Sequence, residues 1–152
     1  MSTHDEINIP ALLRASRGAY GNAIRRRFAA AGFDDLPRNA PFILGGMYRY
    51  GDDITAGNLI RQLGVSKQAA GQLIDTLVLR GYLERRTNPD DRRRLTLELT
   101  ARGRAAAEEV REGVEGVNRE LAAQLTKDQL DGLRAGLVAL TTIREQQEEE
   151  AR

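Results

Sequence analysis

The chain has 152 residues, 41% hydrophobic and 30% charged, with a formal net charge of +1. That length and balance suit one folded domain, with or without an oligomerisation appendage, and exclude a disordered chain. There is no cysteine and a single histidine, His4 in a polar leader, so a disulfide framework, a thiol switch, a cysteine-ligated zinc and a histidine-based triad are not expected.

The start, "MSTHDEINIP", lacks the basic residues and apolar run of a signal peptide. No stretch reaches the ~20 apolar residues of a membrane span. A cytoplasmic protein without a membrane partner is expected. Its charge is segregated: Arg61 to Arg104 holds ten Lys/Arg against five Asp/Glu, and Ala105 to Arg152 holds six against eleven. A basic middle beside an acidic end points to a polyanion partner for the middle, although charge alone fits two solvated faces as well.

In chain order, Ile9 to Ala31 carries a helical stripe at Leu12, Leu13, Ser16 or Ala19, Tyr20, Ala23, Ile24 and Phe28. "AGFDDLPRNAP" breaks it. Asn39 is placed to cap a second helix, with Pro41 in its first turn and Phe42, Ile43, Leu44 and Met47 on its buried face. Thr55 is placed to cap a third, "AGNLIRQL", burying Leu59, Ile60 and Leu63. Gly64 supplies a turn, and Ser66 caps the fourth helix, "KQAAGQLIDTLVLR", which buries Ala70, Leu73, Ile74, Leu77 and Val78 and ends at Gly81. Two helices joined by a short glycine turn make a helix-turn-helix candidate.

The period then changes. "YLERRT" and "RRLTLELT" alternate around "NPDD", with Leu95, Leu97 and Leu99 on one face and Arg94, Thr96 and Glu98 on the other, which is a two-stranded hairpin. Thr100 caps a long helix with the stripe Ala107, Val110, Val114, Val117 and Leu121. Gly113 and Gly116 weaken that helix, so packing must hold it. "TKDQ" at Thr126 is a capping box opening a last helix with Leu130, Leu133, Leu137 and Leu140. "EQQEEE" is a solvated, fraying tail. The fold class is mainly α with a small β-hairpin wing: a winged helix-turn-helix at about 36–100, flanked by dimerisation helices at about 8–32 and 101–148. Long apolar stripes at both ends want a partner, so Leu12, Leu13, Val117, Leu121, Leu130, Leu133, Leu137 and Leu140 are candidate homodimer contacts. The leucines and valines can also pack the last two helices on each other.

From Leu59 to Gly103 the sequence resembles the MarR family of bacterial transcription regulators. The resemblance rests on Asp91-Arg92-Arg93, followed by a strand and by Leu99, Thr100 and Gly103 as "LTxxG", and on the preceding "RGYLERR". It covers the central half strongly, and the flanking helices match by length and pattern. It implies a homodimer on pseudo-palindromic double-stranded DNA, in most members a repressor. Many members are released by a small, often aromatic or phenolic, effector. It also assigns Arg93 to the minor groove, with Asp91 shaping the hairpin tip through an arginine, for which Arg94 and Arg86 are candidates.

The residues read the same way. A hairpin tip delivers a guanidinium into a narrow, negative groove, while Arg92, Arg94, Arg85 and Arg86 suit phosphates. A tip that only keeps an edge strand soluble needs one basic residue, not three. At the fourth helix, Ser66 and its capped amides suit a phosphate. Lys67 suits guanine or a phosphate, and Gln68 and Gln72 suit adenine, unless they are plain helix formers on a wet face. No nucleophile with a base, metal cluster, cofactor motif or phosphate-binding glycine loop is present, so no enzyme and no cofactor are expected. A winged-helix module for protein interaction and a nonspecific DNA-binding protein without a ligand sensor are the alternatives. Tyr20, Phe28, Phe42, Tyr48 and Tyr50 can line a small effector pocket or belong to the core. With so few aromatics the core is preferred.

Overall fold

The computed structural model describes residues 8–51, 56–87, 90–91 and 95–151. Among the described residues, seven helices and one hairpin follow in order: α1 Ile9–Ser16, α2 Gly18–Ala31, α3 Ala40–Tyr50, α4 Ala56–Leu63, α5 Lys67–Leu79, β1 Leu83–Thr87, β2 Leu95–Leu99, α6 Ala101–Gln124 and α7 Lys127–Glu150. The chain divides into two compact units, Met1–Glu115 and Gly116–Arg152.

The first unit holds the core. Ile24 and Phe28 of α2, Ile43 and Leu44 of α3, Leu59 of α4 and Leu73 and Leu77 of α5 pack with Leu83, Leu99, Ala106, Ala107 and Val110 around the fully buried Tyr82. Helix α5 stops in a Schellman motif. Tyr82 N–H donates to the Leu77 carbonyl at 2.9 Å and Gly81 N–H to Val78 at 3.0 Å, with Gly81 at φ +76, a conformation that a Cβ would strain. The strands pair antiparallel in the register Leu83↔Leu99, Arg85↔Leu97 and Thr87↔Leu95. This register puts Leu83, Leu97 and Leu99 on one face and Glu84, Arg86, Thr96 and Glu98 on the other.

The "LTxxG" residues join the wing to α6. Thr100 caps α6 by accepting from Gly103 N–H at 3.0 Å, and its own N–H donates to the Tyr82 carbonyl at 3.2 Å. A Cβ on Gly103 would lie 2.0 Å from that same carbonyl oxygen. Only glycine lets α6 start so close to the strand. Gly113 works similarly: its missing Cβ leaves room for Ile24, whose Cγ1 would otherwise stand 3.0 Å away. The residue that lowers helix propensity is thus the one that admits α2.

In the second unit, Thr126 and Gln129 form the capping box at α7, with side chain and backbone bonded reciprocally at 2.9 and 3.3 Å. No residue of α7 is buried.

Five expectations need correction. The first stripe is two helices meeting at Arg17, where the Ser16 hydroxyl bonds back to the Leu13 carbonyl and Gly18 follows, both weakening a continuous helix. Asn39 occupies the cap position of α3, but its side chain makes no capping bond. Phe42 is 41% exposed instead of buried, because Ile43 and Leu44 take the inward arc. Of the aromatics assigned to the core only Phe28 is there, while Tyr20, Tyr48 and Tyr50 are exposed with Phe42. "EQQEEE" is exposed as expected but lies within helix: α7 continues through Glu150. The expected Thr55 cap and the Asn88-Pro89 turn lie outside the described residues.

Candidate nucleic-acid interface

Helices α4 and α5 are joined by Gly64 at φ +66, Val65 and Ser66. The Ser66 hydroxyl accepts from Ala69 N–H at 3.1 Å, which fixes the start of α5 and leaves the first-turn amides open to an anion. Ala70, Leu73, Ile74 and Leu77 bury the inner face of α5, and Lys67, Gln68, Gln72, Asp75 and Leu79 stand exposed on the outer side. Gln68, Gln72, Asp75 and Leu79 recur at helical spacing, so they share one stripe. The outer side thus begins with amides and a lysine, and its stripe runs through two glutamines to a carboxylate.

The hairpin packs on α5 through β1. Its described basic residues are exposed and each is paired. Arg85 forms an ion pair with Asp75 of α5. Arg86 bonds Glu84 at 2.8 Å and reaches Glu98 across the strands at 3.1 Å. These carboxylates raise the pKa of Arg86, Glu84 most. Thr96 Oγ1 donates to the Arg86 carbonyl at 3.2 Å. Asp91 is exposed; Arg92, Arg93 and Arg94 lie outside the described residues. Ser66, Lys67, Gln68 and Gln72 therefore come together on one helix, beside a strand carrying Arg85 and Arg86.

The carboxylates opposite Arg85 and Arg86 escaped sequence reasoning. Glu84 and Arg86, two apart in a strand, were detectable as same-face neighbours. The Asp75–Arg85 pair joins two elements and left no local signal.

A second cluster fixes the wing's root. The Tyr82 hydroxyl donates to Asp35, and the Arg102 guanidinium lies 4.4 Å from the Tyr82 ring centroid. Arg102 also donates to the Arg80 carbonyl at 2.9 Å and to Asp35 at 3.3 Å. Burial and the Asp35 carboxylate push the Tyr82 phenol up to about 12. The same hydrogen bond, with help from Arg102, holds Asp35 below the usual carboxylate range against a burial that raises it. On α6, Arg111 bonds Glu108, Glu112 and Glu115. Arg111 and then Tyr48 draw Glu108 down to about 2, also against burial. Among the described residues no group of His, Cys, Asp or Glu is arranged to hold a metal, and no helix is long and apolar enough to cross a membrane.

A sequence profile of the MarR family matches residues 34–94, which contain this helix-turn-helix and most of the hairpin. Over 78 residues the chain is 35% identical to the multiple antibiotic resistance protein MarR of Escherichia coli, covering 51% of this chain and 54% of that protein. The match thus spans about half of that relative's length. The crystal structure of apo MarR from E. coli superposes with a TM-score of 0.59 at 26% identity, over 88% of this chain and 97% of that one. A structure of S. aureus MepR in complex with DNA shares the fold at a TM-score of 0.74 and 18% identity, over 90% and 98% of the two chains. The profile falls on the very elements that carry the exposed α5 stripe and the wing, and over these residues the chain is similar to the MarR family.

Proposed function

We propose that this protein is a sequence-specific DNA-binding transcription regulator, acting as a homodimer that represses at pseudo-palindromic operators and leaves them when a small aromatic ligand binds. One observation carries the DNA reading: a capped helix N-terminus with exposed Lys67, Gln68 and Gln72 lies on the helix against which a basic hairpin packs. In this reading α5 enters the major groove, where Lys67 meets guanine or a phosphate and the glutamines meet adenine. The wing reaches the adjoining minor groove with Arg93, and Arg85, Arg86, Arg92 and Arg94 neutralise phosphates while Asp91 shapes the tip. That a relative of this fold was solved with DNA supports the reading.

The homodimer rests on apolar exposure. Leu12 and Leu13 of α1, and Leu133, Leu137, Val138, Leu140 and Ile143 of α7, are all exposed in the single chain. Val117, Leu121 and Leu130 are only half-buried. A stripe of that length needs cover, and a second copy doubles the DNA contacts while raising effective concentration. The effector rests on the likeness to the MarR family and on the exposed aromatics Phe42, Tyr48 and Tyr50.

The test is selection of bound fragments from genomic DNA by the purified protein, followed by gel shift against heparin. A recurrent two-fold motif is expected. Arg93→Ala should cost about 1–3 kcal/mol per half-site, and unchanged operator affinity would remove the wing from the mechanism. Equal affinity for the selected site and random DNA would favour the nonspecific alternative, and no binding at all the protein-interaction module.

A further inference from the structure

The α5 stripe presented to DNA in the proposed function contains a negative charge that phosphate recognition does not need. Asp75 lies seven residues beyond Gln68 on that stripe, and its carboxylate is paired with Arg85, which the sequence reading assigns to a phosphate. The side chains are 67% and 41% exposed, so the pair is solvent-screened and worth little to stability. Asp75 stands on the exposed side of α5, outside the buried core. We propose that Asp75 is a specificity-determining residue: it occupies Arg85 away from the operator, and on the operator it accepts a hydrogen bond from a base-edge amino group, releasing Arg85 to the backbone.

The physical argument is a competition. Binding to arbitrary duplex is almost entirely phosphate electrostatics. A carboxylate on the groove-facing stripe is repelled by every such phosphate and withholds one guanidinium per protomer, so arbitrary sequence is penalised twice. A cytosine N4 amino group in the major groove matches a carboxylate acceptor. Only a site that offers such a donor there compensates the lost ion pair. This is discrimination built from a repulsive element as much as from an attractive one. Glu84 and Glu98 hold Arg86 at 2.8 and 3.1 Å, but both lie on the hairpin, off the α5 stripe. They supply the internal comparison: charge without base contact.

The inference rests on the DNA-binding reading, and its test separates the two. Wild type, Asp75→Asn, Glu98→Gln, Arg85→Ala and the double variant Asp75→Asn/Arg85→Ala are compared on a selected operator and on random duplex of equal length, across salt. Asp75→Asn should tighten random DNA by about two- to fivefold per protomer, the equivalent of one exposed ion pair. Its salt slope should steepen by about 0.9 per protomer, and its operator affinity should stay level or fall. The double variant should lose the steepening. Glu98→Gln should tighten both DNAs alike. Equal tightening of both DNAs by Asp75→Asn would overturn the specificity role, and weakening of both would make Asp75 a positioning residue for Arg85. Wild type that fails to bind any duplex at low salt would defeat the DNA reading itself, whatever the variants do.

Discussion

Gly103 shows how much a single atom can decide. A Cβ there would sit 2.0 Å from the Tyr82 carbonyl oxygen, an acceptor already engaged by Thr100. Gly103→Ala should lower stability by about 1–3 kcal/mol through forced displacement, read as a fall in urea midpoint at constant slope. Tyr82 offers a test by pH. Its phenol is raised to about 12 in the folded chain, above the value of an unfolded tyrosine, so its contribution is complete below about pH 10 and lost as pH rises toward 12. Stability should therefore decline across that window, and Tyr82→Phe should flatten the decline. The sequence marked Gly103 through a motif, but the reason for the glycine needs the strand's carbonyl, which local spacing does not reveal.

Caps and turns are set by neighbouring residues, and among the elements they were the most legible. Ser66, Thr100 and Thr126 cap their helices, and Gly81 ends α5, as the pattern of polar residues before apolar runs indicates. Ser66→Ala should cost about 1 kcal/mol, measurable by chemical denaturation, while Ser66→Gly should cost only a few tenths. Asn39 has the right residue type and position yet makes no side-chain cap: it sits at ψ 1, outside the extended region that capping side chains need. The face of α3 was misassigned at Phe42 for a related reason. Four apolar residues in six positions of a helix exceed one inward arc, and only the packed neighbours choose which of them turns out.

For the whole molecule, acid response and assembly are the measurable consequences. Glu108, drawn down to about 2 by Arg111 and Tyr48, and Asp35, lowered by Tyr82, favour the folded chain above the ordinary carboxylate range and lose that contribution as pH falls. Thermal midpoints should decline between about pH 4.5 and 2, and Arg111→Gln should shallow the Glu108 part. Sedimentation at micromolar concentration should find a dimer, and Leu133→Asp with Leu137→Asp should shift it to monomer with helicity retained, because neither leucine is buried in the single chain. Sequence by itself determined the winged helix-turn-helix, the caps at Ser66, Thr100 and Thr126, the hairpin face and the apolar stripes, since each depends on residues a few positions apart. Only the tertiary structure decided that Asp75 faces Arg85 and Glu98 faces Arg86, why the first turn of α6 carries a glycine, and which aromatics remain at the surface. Those outcomes depend on groups brought together from different elements, and neither periodicity nor composition carries that distance.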